Sequence, residues 1–143
     1  KIVGDGPEKE KLKKLTKKLN LQGRVIFLGS YKPNLIKNAL REFNYLINTS
    51  DFEGFPNSVV EAFSSGVPVI ASQSFGGIND IIKDKNFGVI YKKKDDLKMI
   101  LNKILKKKIK FNMDKKKLFK HLNNFSEKKN TENYKKLFLN IWL

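Results

Sequence analysis

The stretch from Asp51 to Ala71, DFEGFPNSVVEAFSSGVPVIA, constrains this chain more than any other. An apolar run ending at Ile47 leads into it, and a second, Val67 to Ala71, leads out. Between them stand a loop with Gly54 and Pro56, a helical apolar pattern, and Gly66 where a helix stops. Strand, loop, helix and strand in that order make a βαβ unit of a parallel sheet. The right-handed crossover of such a unit puts its first loop at the carboxyl edge of the sheet, where open α/β folds bind ligands. Glu53 and Glu61 bracket that loop and the first part of its helix.

Other segments extend the same architecture. Lys1 to Val3 reads as a strand entering the turn Gly4-Asp5-Gly6-Pro7, followed by a helix with Leu12, Leu15 and Leu19 on one face and Asn20 and Gly23 at its end. The two glycines permit a tight turn or the approach of a phosphate. They are no full dinucleotide fingerprint, since Lys9 stands at the third glycine position. Arg24 to Leu28 is the second predicted strand, and Leu35, Ile36, Ala39 and Leu40 mark a short helix. Asn44 to Asn48 is the third strand and Val67 to Ala71 the fourth. A flexible loop, Ser72 to Gly77, and a short face of Ile78, Ile81 and Ile82 precede a fifth strand, Gly88 to Tyr91.

After Lys94 the pattern turns helical. Leu97, Ile100, Leu101, Ile104 and Leu105 share a face, Asp114 to Leu122 forms a second helix, and Ser126 caps a third. On that last helix Tyr134, Leu137, Phe138 and Ile141 repeat at helical spacing, and Trp142 is expected to pack it rather than anchor a membrane. The expected class is α/β: a doubly wound, Rossmann-like parallel sheet with flanking helices over 1–92 and a helical extension over 93–143.

Composition bounds the function. The 143 residues suit one domain, and a 40% hydrophobic fraction with 11 Phe fits a folded core. The absence of cysteine excludes a disulfide scaffold and a thiolate metal site. No apolar run approaches a membrane span. A chain opening with Lys1 directly in a strand reads as a domain cut from a longer polypeptide.

The net charge of +16 comes from 30 basic and 14 acidic residues, with Arg only at Arg24 and Arg41. Reading of bases leans on bidentate Arg. The lysines are spread along the chain from Lys9 to Lys136. A solvated surface is therefore the first reading, attraction to anionic lipid the second and nucleic acid the third.

At the central loop, a helix starting near Asn57 or Ser58 offers unpaired N–H groups and the positive end of its dipole to a phosphate. Gly54 leaves room at the backbone, and a carboxylate accepts hydrogen bonds from paired sugar hydroxyls. A ligand with phosphates and hydroxyls, such as a sugar nucleotide, matches. Ser58 and Glu61 also satisfy a capping box, so spacing alone leaves Glu61 divided between capping and ligand binding. Asn57 as a cap and Phe55 as a hydrophobic staple are the structural readings of those residues. A glycosidase pair of Glu53 and Glu61 is disfavoured, because a helix N-terminus suits phosphate better than a neutral glycan. The single histidine, His121, is expected to pack or face solvent, and no His/Asp group has metal-ligand spacing.

The segment Glu53-Gly54-Phe55-Pro56-Asn57-Ser58-Val59-Val60-Glu61 resembles the E-x7-E motif of family 4 retaining glycosyltransferases, enzymes of the two-domain GT-B architecture. Lys1 to Pro7, Arg24 to Gly29, and Gly66 to Ser72 with Gly76-Gly77 resemble the flanking family segments in the same order, over residues 1 to about 107.

The resemblance implies that Glu61 binds the ribose hydroxyls and that Glu53, the candidate catalytic residue, lies against the donor sugar. Gly54, Phe55, Pro56, Asn57 and Ser58 would face the sugar and diphosphate, Ser30 and Tyr31 the base, and Gly4 and Gly6 the cleft. It further implies a UDP- or GDP-linked donor, a saccharide or lipid-linked acceptor as in polysaccharide biosynthesis, no cofactor and no bound metal.

The family's Arg and Lys for the diphosphate lie upstream of the first strand, and Asp80 replaces a common Glu in the Gly-Gly-x-x-Glu segment. The N-terminal domain of the same polypeptide, with the acceptor site, is the expected partner, and the fragment is expected to be inactive without it. A cytoplasmic location, peripheral contact with an anionic membrane at its inner face, and no nucleic-acid partner complete the expectations. The alternative is a noncatalytic α/β module whose basic surface holds nucleic acid or anionic membrane.

Overall fold

In a computed structural model, residues 1–142 are described, except the side chains of Pro33, Asn140, Ile141 and Trp142. The expected packing of Ile141 and Trp142 therefore lies outside the described residues. The chain divides into two compact units, Lys1–Ile36 and Lys37–Leu143. Both are α/β with parallel strands and flanking helices, and among the described residues no helix is long and apolar enough to cross a membrane.

In the first unit, β1 (Ile2–Val3) pairs in parallel with β2 (Phe27–Gly29), and α1 (Lys9–Lys18) connects them. β2 starts three residues later than the predicted strand, at Phe27 instead of Arg24, because the backbone N–H groups of Arg24 and Val25 are spent on Leu21 O, closing a turn after α1. Glycine conformation ends the strand, with Gly29 at a φ of +71°. The leucine face of α1 stays half-exposed, and no residue of that helix is buried. A two-stranded ladder is too narrow to cover it.

α2 (Pro33–Leu40) leads to the second unit, whose sheet has the order β3-β4-β5: β3 (Leu46–Asn48), β4 (Val69–Ser72) and β5 (Gly88–Tyr91), all parallel. Among the described residues the strands thus form two hydrogen-bonded sheets. β4 is central, and its Val69, Ile70 and Ala71 have no exposed surface. Buried on both faces, it reads as a continuous apolar run.

α3 (Asn57–Ser64) crosses from β3 to β4 and buries Val59, Ala62 and Phe63. α4 (Ile78–Ile81) buries Ile78 and Ile81. α5 (Lys94–Leu105) lays Leu97, Ile100, Leu101 and Ile104 on Ile70, Val89 and Tyr91. Each fully buried aliphatic side chain, among them Val59, Val69, Ile70, Ile78 and Ile81, contributes about 1.5–3 kcal/mol.

α6 (Lys115–Leu122) is capped by Asp114, whose carboxylate accepts Lys116 N and Lys117 N at 2.9 and 3.0 Å. His121 closes α6 onto α4: its Nε2 lies 2.7 Å from Ile81 O, and its ring sits between Phe87 and Phe125. The histidine therefore packs, as expected. A single 3-10 turn, Asn123–Phe125, precedes α7 (Glu127–Trp142), where Ser126 Oγ accepts Lys129 N in the expected cap. Tyr134, Leu137 and Phe138 nevertheless remain more than half exposed.

Candidate functional site

β3 ends at Asn48, and the chain turns through Ser50 and Asp51 before Phe52 forms an isolated parallel bridge with Phe75 beyond β4. Glu53 N then donates to Phe75 O at 3.2 Å, and Gly77 N donates to Gly54 O at 3.1 Å. The segment from Ser72 to Gly77, expected as a flexible loop, is instead tied strand-like to the loop that carries Glu53. Its glycines allow this. Gly76 has a φ of +114°, and a Cβ there would fall 1.7 Å from Glu53 O. No other residue fits.

Hydroxyls fix the same loop from inside. Ser72 Oγ donates to Ser50 O, and Ser50 Oγ donates to Glu53 Oε1 at 2.8 Å. Glu53 is thus half-buried and held. Ser74 Oγ is buried beside these residues in sequence and has no hydrogen-bond partner among the described residues. Ser50, Ser72 and Ser74 escaped sequence reasoning, since hydroxyls near a strand end carry no distinctive spacing. Gly76-Gly77 was visible as a pair but not as a clamp.

The start of α3 differs from the capping-box expectation. The cap residue is Pro56, fully buried, with no side chain to bond the helix. Val59 N and Val60 N reach back to Pro56 O. Ser58 therefore lies inside the first turn, and Glu61 is five residues past the cap rather than at the third position the box requires. Glu61 is half-buried, and its carboxylate has no hydrogen-bond partner among the described residues.

Asn57 is the first helical residue, not the cap, and Phe55, the residue before the cap, rests tilted on Phe125, 5.8 Å between ring centres. The N–H groups of Gly54, Phe55 and Ser58 carry no acceptor among the described residues, while Asn57 N is taken by Phe55 O. Open donors and a helix N-terminus together form a seat for an anion.

Gly4, Gly6, Ser30 and Tyr31 belong to the first unit. Gly4, at a φ of +116°, donates to Gly29 O at 2.7 Å, which joins the glycine turn to the end of β2. Asp5 folds back on this turn: it accepts Gly6 N at 3.0 Å and Lys9 Nζ at 2.8 Å. The hydrogen bond from Lys9, and then that from Gly6, holds the Asp5 carboxyl below its ordinary range. Gly4, Gly6, Pro7, Lys9 and Phe27 line an open cavity of about 230 Å³. Ser30 and Tyr31 follow β2 and are exposed. Among the described residues, no three His, Asp or Glu side chains gather as metal ligands.

Residues 1–117 match the family described as "Glycosyl transferases group 1". The chain is 33% identical over 117 residues to the lipopolysaccharide 1,6-galactosyltransferase of Salmonella typhimurium, covering 79% of this chain and 33% of that protein. It superposes on the apo lipopolysaccharide outer core galactosyltransferase WaaB with a TM-score of 0.83 at 28% identity, over 97% of this chain and 40% of that one. Anabaena Alr3699/HepE, crystallised with UDP and glucose, shares the fold at a TM-score of 0.74 and 23% identity, over 94% of this chain and 39% of that one. The chain therefore spans between a third and two fifths of the length of these proteins.

Proposed function

Because this chain belongs to the group 1 glycosyl transferases, we propose that it is the donor-binding part of an enzyme that moves a sugar from a nucleotide-sugar to a saccharide or lipid-linked acceptor. One observation carries the reading: Gly54, Phe55 and Ser58 present N–H groups with no acceptor among the described residues at the start of α3, and Glu61, whose carboxylate likewise has no partner there, lies farther along it. In this proposal the diphosphate sits on those donors and on the positive end of the helix dipole. Glu61 accepts hydrogen bonds from the ribose hydroxyls, and Glu53, oriented by Ser50, faces the donor sugar. Asn57 and Pro56 shape the same turn.

When the bond between the sugar and the diphosphate breaks, negative charge grows on the departing phosphate. Donors already fixed in place stabilise that charge without reorganising. Gly4, Gly6, Ser30 and Tyr31 are proposed to meet the base and the cleft. A uridine or guanosine diphosphate is the proposed leaving group, and the HepE complex makes UDP the first to try. Retention of anomeric configuration, and dependence on further regions of a longer polypeptide, belong to the same reading.

The test is a titration of the chain with UDP, GDP, ADP and their sugar conjugates, followed by amide NMR. Selective shifts at Gly54, Phe55, Ser58 and Glu61 with one base, lost in Glu61→Gln, are expected. Shifts spread over lysine-rich surface, erased by salt and indifferent to base and to that substitution, would instead support a basic binding module.

A further inference from the structure

We propose that the amino edge of the three-stranded sheet, opposite the edge that carries Glu53, docks on anionic membrane. β3, β4 and β5 run parallel, so their amino ends share one edge. Two residues separate the end of β5 from α5, which packs back along the ladder and brings its last turn to that edge. The chain then follows the edge. Phe111 meets Tyr45, the residue before β3, at 5.8 Å between ring centres, and Asn112 N donates to Asn86 O, two residues ahead of β5, at 3.0 Å. α6 starts from the same place.

Between 103 and 117 the sequence holds eight lysines and one acid. The lysines, at 103, 106–108, 110 and 115–117, are all exposed, and among the described residues none has a carboxylate partner. The acid, Asp114, is spent capping α6, and nearby Asp84 accepts both N and Nδ2 of Asn86. The lysines look dispersed in the sequence, but the fold gathers these along one rim.

The rim also bears Leu105, 79% exposed at the end of α5, with Phe119, 68% exposed, one turn into α6. Unpaired lysines around an exposed aliphatic side chain match anionic headgroups over an acyl boundary. A nucleic-acid backbone makes no use of Leu105, and no arginine is present in this segment to read bases. The proposal is independent of the sugar-nucleotide reading.

Cosedimentation of the chain with vesicles tests it, using phosphatidylcholine alone and phosphatidylcholine mixed with phosphatidylglycerol. Binding to the mixed vesicles only, weakened by salt, is expected. The triple reversal Lys108→Glu, Lys110→Glu, Lys115→Glu should lower it more than about tenfold; Lys107 is spared because its φ of +55° already strains the backbone. Reversal of Lys128, Lys129 and Lys135 on α7 changes net charge equally and should alter binding less than about twofold. Equal losses from the two triples, no binding to the mixed vesicles, or equal binding to neutral vesicles would overturn the proposal. So would tighter capture by single-stranded RNA at the same salt, which would assign the rim to nucleic acid.

Discussion

Gly76 lies so close to Glu53 that a Cβ on the glycine would sit 1.7 Å from the glutamate carbonyl oxygen. This contact joins the end of β4 to the loop after β3 and sets the backbone from which Glu53 and Gly54 project. Gly76→Ala meets both the oxygen and an unfavourable φ. We expect it to destabilise the chain by about 2–4 kcal/mol, read as a lower urea midpoint. Gly77→Ala, whose Cβ would meet Gly54 O at 3.3 Å, should cost clearly less. Equal effects would show that the clamp is not centred on Gly76.

Glu61→Gln separates capping from ligand binding. The carboxylate bonds no helix donor among the described residues, so thermal or urea stability should stay within about 0.5 kcal/mol of the parent. Nucleotide affinity should fall about tenfold or more, the worth of a hydrogen bond to a charged group. A stability loss near 1 kcal/mol with affinity unchanged would restore the capping role.

His121 tethers α6 to α4 through Ile81 O. A carbonyl only accepts, so Nε2 carries the proton. His121→Phe keeps the ring between Phe87 and Phe125 but leaves that carbonyl unpaired, for an expected cost of about 1–3 kcal/mol. His121→Ala should cost more, because the ring contacts go as well. Chemical denaturation of both variants measures the order.

Asp5 provides a pH marker. Its folded carboxyl lies below the 3.8 of a free aspartate, chiefly through Lys9. A depressed folded value means that its contribution is present above 3.8 and lost as pH falls through the folded midpoint. A carboxyl NMR titration should place that midpoint below 3.8, and Lys9→Met should raise it. Because the carboxylate is open to solvent, salt should weaken the shift.

Ser74 carries a buried hydroxyl without a partner among the described residues. Removing such a group relieves desolvation, so Ser74→Ala should be neutral or slightly stabilising in a thermal melt. A loss above about 1 kcal/mol would reveal a bonded hydroxyl.

Much of this was legible in the linear chain. Alternation of apolar runs with glycine and proline is local, and it located the βαβ unit, the stop at Gly66 (φ +75°) and the order of elements. The motif from Glu53 to Glu61 is contiguous, so its resemblance needed no fold. What required tertiary structure was every relation between distant segments. A capping box predicted from Ser58 and Glu61 failed because Pro56, buried against the core, begins α3 two residues earlier than the box requires. Ser72 to Gly77 reads as a loose glycine loop until its distant partner, Phe52 to Gly54, pins it by backbone hydrogen bonds. Likewise, only the return of 106–112 along the sheet turns scattered lysines into one rim. Sequence fixes what each residue prefers locally, through dihedral freedom, charge and apolarity; which carbonyl meets which glycine is decided by packing across the fold.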